Sequence, residues 1–175
     1  MVGHRSLQEL LGEDEFKFEK EIVWNGGPVP IRDHPDAIHK ESGTVIEFKT
    51  TESTRILEEG PYPHHLRQLK SYMSILDAAV GKLSYILMGY FKGLKEYFPE
   101  HLVTLEENEK KEILSKLERD AAELQYGIAV GRPELVQHIT KDPEYINQYG
   151  YNWMCSSCPY RKECEKMRAE AGECS

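Results

Sequence analysis

Hydrophobic and polar positions change their period several times along the chain, and each period predicts an element. The leucines within residues 4–12 have a helical spacing, and Gly12 follows them as a stop. Residues 15–24 alternate between apolar and polar side chains, which is typical of a strand with one buried face. Residues 28–39 predict a second strand, whose prolines make it irregular or place it near an edge. The β-branched residues of 44–50 predict a third strand.

The second half of the chain predicts two helices and two strands. Helical spacing covers 63–80 after a polar loop, and the apolar run of 83–91 predicts a buried strand. A short strand at 102–105 and a helix over 107–130, which ends at Gly131, complete the pattern. The apolar stripe of this last helix is assigned to core packing: Ile113, Leu114, Leu117, Ala121, Leu124 and Ile128. The order helix, three strands, helix, strand describes an α/β sandwich.

Acidic residues fall on the second and third strands at positions that a hairpin brings together. The turn-like residues 40–43 separate these strands, and a four-residue loop there sets Asp36 opposite Glu47. Directly opposed Cβ atoms are about 4.5–5.5 Å apart, and carboxylates that close repel each other unless a cation lies between them. Because side chains alternate across a strand, Lys49 shares the face of Glu47. Asp33 is an alternative to Asp36 as a metal ligand. Asp36 is preferred because it pairs with Glu47, whereas Asp33 lies beyond the paired part of the hairpin.

Two carboxylates and an ammonium in this arrangement suit the hydrolysis of a phosphodiester. Carboxylate oxygens bind hard cations such as Mg²⁺ or Mn²⁺. A bound cation polarises a phosphodiester and lowers the pKa of an attacking water, and a neighbouring lysine can orient that water and stabilise negative charge. The residues therefore predict a metal-dependent nuclease.

A polar row on the following helix supports this interpretation. Gln68 and Tyr72 are four residues apart and lie on one side of the helix, in line with His64. The row either positions Lys49 or the nucleic-acid backbone, or it is a polar helix flank. His64 and His65 are expected to be loop or cap residues rather than metal ligands.

The Glu-x-Lys pattern is weak on its own, because the chain contains it elsewhere. Residues 15–17 (EFK) repeat it, but no Pro-Asp pair precedes them and no Gln-x-x-x-Tyr follows soon after. Residues 109–111 (EKK) repeat it within a helical run of charges. The prediction at Glu47 and Lys49 therefore depends on Asp36 and on the downstream helix.

Composition and charge limit the class of protein. A length of 175 residues with 39% hydrophobic and 30% charged residues fits one compact domain of a soluble globular protein. No apolar run reaches the length of a membrane span, and we expect a cytoplasmic protein. The net charge of −8 argues against a broad, nonspecific grip on nucleic acid. The candidates for phosphate contact, or alternatively for solvated surface charges, are Arg55, Arg67 and Lys70.

The cysteines are clustered near the end of the sequence, at Cys155, Cys158, Cys164 and Cys174. A disulfide framework is not expected inside the cell. Clustered thiolates suit zinc or an iron–sulfur cluster, and their spacing does not decide between the two. Such a site would pin the tail to the rest of the protein. A redox or zinc sensor with an accidental nuclease-like site is a third class of function.

The motifs together resemble a known family. The segments HPDAI (34–38), VIEFKT (45–50), QLKSY (68–72) and CSSCPYRKEC (155–164) are similar to those of the PD-(D/E)XK nuclease superfamily. Within it they resemble the RecB-like CRISPR-associated exonucleases, CRISPR-associated protein four. The resemblance implies a restriction-endonuclease-like α/β core over 1–106. It also implies a helical extension over 107–150 and a cysteine-cluster tail over 151–175, within one compact domain.

The resemblance also implies roles for individual residues. Its catalytic positions fall on Asp36, Glu47, Lys49, Gln68 and Tyr72. Its metal positions fall on His4, Asp36, Glu47 and the backbone carbonyl of Phe48. It favours a [4Fe–4S] cluster over zinc. The family's fourth ligand normally lies upstream of the core, so either Cys174 replaces it or the site holds three cysteines, zinc or nothing.

Function and partners follow from the same resemblance. Members typically degrade single-stranded DNA with Mg²⁺ or Mn²⁺ and trim DNA ends for CRISPR spacer integration, with the integrase as partner. Related proteins serve viral replication and recombination. The alternative is a module that holds DNA ends for an integrase without cutting them. The negative charge favours that alternative.

Overall fold

The computed structural model describes Gly12, residues 14–88 and 99–132, Lys162 and Lys166. The predicted first helix, with His4, lies outside the described residues except for Gly12. The cysteine tail also lies outside them, with Cys155, Cys158, Cys164 and Cys174. Among the described residues, no helix is both long enough and apolar enough to span a membrane.

Short strands precede a longer pair of strands and the helices. The strands are β1 (Phe16–Phe18), β2 (Ile22–Trp24), β3 (Ile31–Asp33), β4 (Ala37–His39), β5 (Val45–Thr51), β6 (Val80–Leu87) and β7 (Glu100–Thr104). The helices are α1 (Arg55–Glu59), α2 (Pro63–Ile75) and α3 (Glu107–Ala129). These strands and helices confirm the predicted α/β class.

A mixed five-stranded sheet carries the acidic hairpin. Its strand order is β1-β4-β5-β6-β7, while β2 and β3 form a separate two-stranded sheet. Strands β5 and β6 are parallel, and the other neighbours in both sheets are antiparallel. A parallel pair needs a long crossover connection, usually helical, and α1 with α2 provides it.

The core lies where α2 packs on β5 and β6. Gly81 marks the closest approach, because a Cβ built there would lie 2.5 Å from the Met73 sulfur. The absence of a side chain on this strand lets the helix approach and cover the sheet. The buried cluster comprises Ile22, Val45, Ile56, Leu69, Tyr72, Met73, Leu83, Tyr85, Leu87 and Leu105.

The two predicted N-terminal strands are each divided in the structure. The prediction of one strand over 15–24 was wrong, because Glu19 has a left-handed backbone with φ 43° and separates β1 from β2. These two strands then join different sheets. The predicted strand over 28–39 is likewise divided into β3 and β4 on either side of Pro35, which is fully buried and has no backbone N–H to donate.

Helix α2 is shorter than its apolar spacing predicts. It ends at Ile75, and Asp77 has φ 54°, so the chain turns there and Val80 begins β6. The segment expected as a polar loop contains the short helix α1. Strand β6 ends at Leu87, and residues 89–91 of its predicted extent lie outside the described part of the chain.

The long helix confirms its predicted extent, but its apolar stripe is only partly buried. Gly131 has φ 66° and donates its N–H to the Ile128 carbonyl, which ends the helix as predicted. Leu124 is 43% exposed and Ile128 is 72% exposed, so their assignment to core packing was wrong. Spacing identifies residues that share a helix face, but it does not show that another element covers the face. One compact unit ends at Lys116 within this helix and a second continues from Leu117; the acidic hairpin belongs to the first.

Candidate active site

The β4–β5 hairpin has the register that the sequence predicts. The His39 N–H donates to the Thr44 carbonyl at 2.9 Å and closes the loop. Ala37 pairs with Ile46 and Ile38 with Val45, and the same register continued by one residue sets Asp36 opposite Glu47. The Phe48 N–H donates to Asp36 Oδ2 at 2.7 Å. This bond holds the Asp36 carboxylate against β5, although Asp36 itself lies just outside β4.

Glu47 is a buried carboxylate with an incomplete set of partners. It is 3% exposed, and its Oε1 accepts a hydrogen bond from Lys49 Nζ at 2.6 Å. Its Oε2 is buried and has no hydrogen-bond partner among the described residues. Burial raises the pKa of Glu47, and the Asp36 charge raises it further, while Lys49 and the Asp36 backbone oppose the change. A second positive charge is therefore needed to stabilise both carboxylates in the ionised form.

Helix α2 extends this pair into a hydrogen-bonded chain. Lys49 Nζ also donates to Gln68 Oε1 at 2.7 Å, and Gln68 Nε2 donates to the Tyr72 hydroxyl at 2.7 Å. The structure thus brings together the five residues predicted to be catalytic: Asp36, Glu47, Lys49, Gln68 and Tyr72. The polar row on α2 contacts Lys49 through Gln68. This contact agrees with the interpretation that the row positions Lys49. Their catalytic roles stay a prediction.

Asp33 occupies a place that the sequence did not indicate. It lies at the end of β3 in the two-stranded sheet, where it is exposed. Burial raises the pKa of Tyr72, and the negative charges of Glu47 and Asp33 raise it further. Asp33 therefore adds to the negative electrostatic environment of Tyr72. No pattern in the sequence relates these residues, because they lie in separate elements 39 positions apart.

The donor set fits a hard divalent cation. The buried, unpartnered Glu47 oxygen and the neighbouring Asp36 carboxylate are the oxygen ligands that Mg²⁺ and Mn²⁺ prefer. Across residues 14–88 and 99–132, no group of three or more His, Cys, Asp or Glu is arranged to hold a metal ion. The predicted His4 lies outside the described residues. The two carboxylates thus form the described part of the candidate metal centre.

Histidines near this site belong to an aromatic cluster. His65 Nδ1 lies 2.9 Å from the Tyr85 hydroxyl, and the same hydroxyl accepts the Tyr62 N–H at 3.0 Å. Burial lowers the pKa of His65 to about 3, with smaller effects from His64 and Lys49. His65 is therefore neutral at neutral pH and fixes the start of α2 against β6.

Arg55 and Lys70, both predicted to contact DNA, have acidic partners in the structure. Arg55 donates to Glu59 within α1, and Lys70 donates to Glu109 at 2.6 Å. Arg67 lies half-buried on α2. A phosphate must compete with these carboxylates for Arg55 and Lys70. Arg55 and Lys70 can therefore bind a phosphate only if their ion pairs with Glu59 and Glu109 break.

Several solved structures are similar to this chain. The crystal structure of SSO0001 aligns with a TM-score of 0.56 at 23% identity, over 90% of this chain and 68% of that chain. An alkaline exonuclease from Laribacter hongkongensis aligns with a TM-score of 0.46 at 14% identity, over 72% of this chain and 69% of that one. A phage-related exonuclease from Haemophilus somnus 129PT aligns with a TM-score of 0.49 at 13% identity, over 70% and 67%. At these identities the first likeness shows a shared fold.

The family is established by the sequence itself. No curated protein matches the chain. The family model of the PD-(D/E)XK nuclease superfamily, in contrast, matches residues 3–165, which is nearly the whole chain. The chain therefore belongs to the PD-(D/E)XK nuclease superfamily.

Proposed function

We propose that the protein is a Mg²⁺- or Mn²⁺-dependent deoxyribonuclease that removes nucleotides from the ends of single-stranded DNA. The observation that carries the proposal is the Glu47 carboxylate, buried beside Asp36 with one unpartnered oxygen and bonded to Lys49 through the other. Burying a carboxylate next to a second, half-buried one is costly for folding. Such a pair is expected where a bound cation is part of the function.

The metal would be held by the two carboxylates, with the Phe48 carbonyl and His4 as further ligands. When bound, the ion supplies a Lewis acid at the phosphodiester and a water of lowered pKa. Asp36 is held for this by the Phe48 N–H. Burial of Glu47 excludes bulk water, which strengthens the electrostatic attraction between its carboxylate and a cation.

Lys49 performs the electrostatic part of the reaction in this proposal. Its ammonium is held between Glu47 Oε1 and Gln68 Oε1, at 2.6 and 2.7 Å. These contacts account for two of its three N–H donors. The remaining donor can orient the attacking water or stabilise charge that develops on a phosphate oxygen. Because both acceptors are fixed by the fold, the ammonium needs little reorganisation during reaction.

Substrate and pathway are proposed from the motif resemblance. The similarity of HPDAI, VIEFKT and QLKSY to RecB-like CRISPR-associated exonucleases favours action on single-stranded ends. It also favours a role in trimming spacer precursors together with an integrase. The cysteine tail is proposed to hold a [4Fe–4S] cluster, with zinc as the alternative. Metal analysis and absorbance near about 400 nm separate these two, since an iron–sulfur cluster is coloured and zinc is not.

A second candidate function is a module that holds DNA ends without cutting them. The net charge of −8 and the acidic partners of Arg55 and Lys70 favour it, because both weaken a grip on substrate during repeated turnover. This candidate requires a partner protein that supplies the positive surface. It predicts stable binding of DNA ends in the presence of the integrase and little cleavage by the protein alone.

A time course on end-labelled DNA tests the proposal. Purified protein with Mn²⁺ is expected to shorten single-stranded DNA from one end, whereas protein in EDTA leaves it intact. Asp36→Asn is expected to abolish cleavage and to weaken Mn²⁺ binding. Glu41→Gln, which alters an exposed acidic residue in the turn of the same hairpin, is the matched control and keeps both.

The results distinguish the two candidates. End-labelled product that accumulates with Mn²⁺ and disappears in Asp36→Asn supports the exonuclease. Internal cuts without shortening contradict the end-directed part of the proposal. Tight binding of ends without cleavage, in a protein that binds Mn²⁺, supports the holding module instead.

A further inference from the structure

Aromatic rings gather at the start of α2, one helical turn from the candidate active site. Tyr62 caps this helix, and its ring stacks on that of His64, with ring centroids 5.7 Å apart and planes inclined by 25°. His64 lies four residues before Gln68, so the two side chains share one side of α2. Gln68 in turn accepts a hydrogen bond from Lys49. The stacked pair therefore extends the polar row that contacts Lys49.

The register of the sheet independently places the same rings beside Lys49. Lys49 on β5 and Tyr85 on β6 are directly paired in the parallel ladder. Neighbouring strands lie about 4.7–4.9 Å apart, and directly paired residues point to the same face of the sheet. The Tyr85 hydroxyl accepts the Tyr62 N–H at 3.0 Å and lies 2.9 Å from His65 Nδ1. The rings are thus connected to the candidate site through both the helix and the sheet.

The backbone of Tyr62 is fixed on both sides of its side chain. Its N–H is held by Tyr85, which is fully buried. Its carbonyl accepts the N–H groups of His65 and Leu66 at 3.0 and 3.1 Å. Because these contacts order the residue before any ligand arrives, less conformational entropy remains to be lost on binding.

Stacking offers this acidic protein a contact with DNA that does not depend on charge. The net charge is −8, and Arg55 and Lys70 are held in ion pairs. A nucleobase, in contrast, stacks on the face of an aromatic side chain whatever its sequence. Tyr62 and His64 are half-buried, so part of each residue stays at the surface.

We propose that Tyr62 and His64 form a stacking subsite for one base of single-stranded DNA beside Lys49. The inference rests on the proposed function, because it adds a grip on the base to a site assigned to the phosphodiester. In a duplex, the neighbouring base pairs cover both faces of an internal base, and unstacking it costs free energy. An unpaired base has no such cost, so the subsite favours single strands over duplexes.

The experiment measures binding to a labelled oligothymidylate by fluorescence anisotropy on full-length protein in EDTA. A set of probes that each lack one base, at successive positions from either end, is compared with the intact oligonucleotide. The variants are Tyr62→Leu, His64→Leu and Tyr62→Phe, which keeps the ring. Tyr126→Leu is the matched control, because it removes a tyrosine that is 62% exposed on α3. Circular dichroism checks the fold of each variant.

The loss of either ring of the stacked pair is expected to raise Kd for the intact oligonucleotide about tenfold, the scale of one stacked base. Tyr62→Phe and Tyr126→Leu are expected to bind like wild type. The slope of log Kd against log salt should stay the same in Tyr62→Leu, because no phosphate contact is lost. In wild type, a missing base at one position should raise Kd by a similar factor. The same missing base should have no further effect in Tyr62→Leu, since the two changes remove one interaction.

Several results would overturn the subsite. One is an equal penalty for the missing base in wild type and in Tyr62→Leu. Another is a Tyr62→Phe variant that binds as weakly as Tyr62→Leu, and a third is a reduced salt slope, which would make the lost contact ionic. His64→Leu gives the same comparison if Tyr62→Leu does not fold. A wild-type protein that binds no single-stranded DNA, or is indifferent to every missing base, overturns the inference without any variant.

The binding measurement also separates this inference from the proposed function. A protein that binds a base through Tyr62 but never shortens DNA with Mn²⁺ refutes the exonuclease and supports the subsite. A protein that shortens DNA, yet binds it equally well without the Tyr62 ring, supports the exonuclease and refutes the subsite.

Discussion

The chain contains the triplet Glu-Phe-Lys twice on the same five-stranded sheet, and one of the two copies lies in the candidate active site. Residues 15–17 enter β1, and residues 47–49 lie within β5. In the first copy Glu15 and Lys17 are exposed. In the second, Glu47 is 3% exposed and accepts a hydrogen bond from Lys49. The same three side chains therefore differ in burial and in partners.

Strand position accounts for this difference. β1 is an edge strand with β4 as its neighbour, whereas β5 lies between β4 and β6 and is covered by α2. The central strand places the Glu47 carboxylate near Asp36 and brings the Lys49 ammonium to Gln68. The burial and the partners of a short motif thus depend on the elements that surround it. The predictions below compare matched substitutions in the two copies and then in other ion pairs.

The largest difference is expected between Lys49→Ala and Lys17→Ala. Loss of Lys49 removes the ammonium bonded to Glu47, and removal of one preorganised electrostatic donor typically lowers kcat by about 100- to 1,000-fold. Loss of Lys17 removes an exposed charge at a sheet edge and is expected to leave kcat unchanged. Initial rates with Mn²⁺ on end-labelled DNA measure both. Similar rates in the two variants would contradict the assignment of the site to β5.

The hairpin could be predicted because its determinants are local. Loop length and the alternation of side chains set Asp36 opposite Glu47, and the register of β4 and β5 confirms it. The spacing of Gln68 and Tyr72 likewise places them on one face of α2. In each case the residues concerned lie within one hairpin or one helix, where geometry follows from the period.

Other features could not be predicted because they depend on contacts between distant segments. His65 and the Tyr62 N–H reach the Tyr85 hydroxyl only because α2 packs on β6, and no spacing along the chain encodes these contacts. Helix α2 ends at Ile75 because the chain turns at Asp77, and this turn leads into β6, on which the helix packs. Ile128 fits an apolar helical stripe, yet it is exposed, because burial depends on what covers the face.

A smaller difference is expected in stability when each glutamate is replaced by glutamine in metal-free protein. Glu47→Gln removes a buried charge and its repulsion with Asp36, so it is expected to raise the free energy of unfolding by about 1 kcal/mol. Glu15→Gln alters an exposed residue and is expected to be neutral within about 0.5 kcal/mol. Urea unfolding in EDTA measures both variants. Added Mn²⁺ is expected to stabilise wild type and to have less effect on Glu47→Gln.

The stability gain in Glu47→Gln is expected to depend on pH. The pKa of Glu47 is raised above its ordinary value of 4.5, so the folded protein holds the proton more tightly than the unfolded chain. The stability that protonated Glu47 contributes is fully present below pH 4.5. It is lost as the pH rises through the pKa that Glu47 has in the folded protein. The advantage of Glu47→Gln should therefore be absent at low pH and grow as pH rises. His65, whose pKa is lowered to about 3, changes stability in the opposite sense but is common to both proteins. An advantage that shrinks with rising pH would contradict the role of burial at Glu47.

The smallest effect is expected at an ion pair of the same length as the Lys49–Glu47 pair of the candidate site. Lys70 and Glu109 are 2.6 Å apart, as are Lys49 and Glu47, but their side chains are 33% and 39% exposed rather than 20% and 5%. Solvent screens the outer pair, so Lys70→Gln is expected to lower the free energy of unfolding by about 0.5 kcal/mol. It should leave kcat unchanged.

Salt dependence then decides whether Lys70 contacts DNA, which is one of the two interpretations of this residue from the sequence. If it does, Lys70→Gln raises KM at low salt and reduces the slope of log KM against log salt by about one charge. The matched Lys49→Gln variant is expected to lower kcat at every salt concentration, because the proposed function places the Lys49 ammonium at the reacting phosphate. A loss of kcat in Lys70→Gln as large as that in Lys49→Gln would show that bond length, rather than burial and neighbours, distinguishes the catalytic pair.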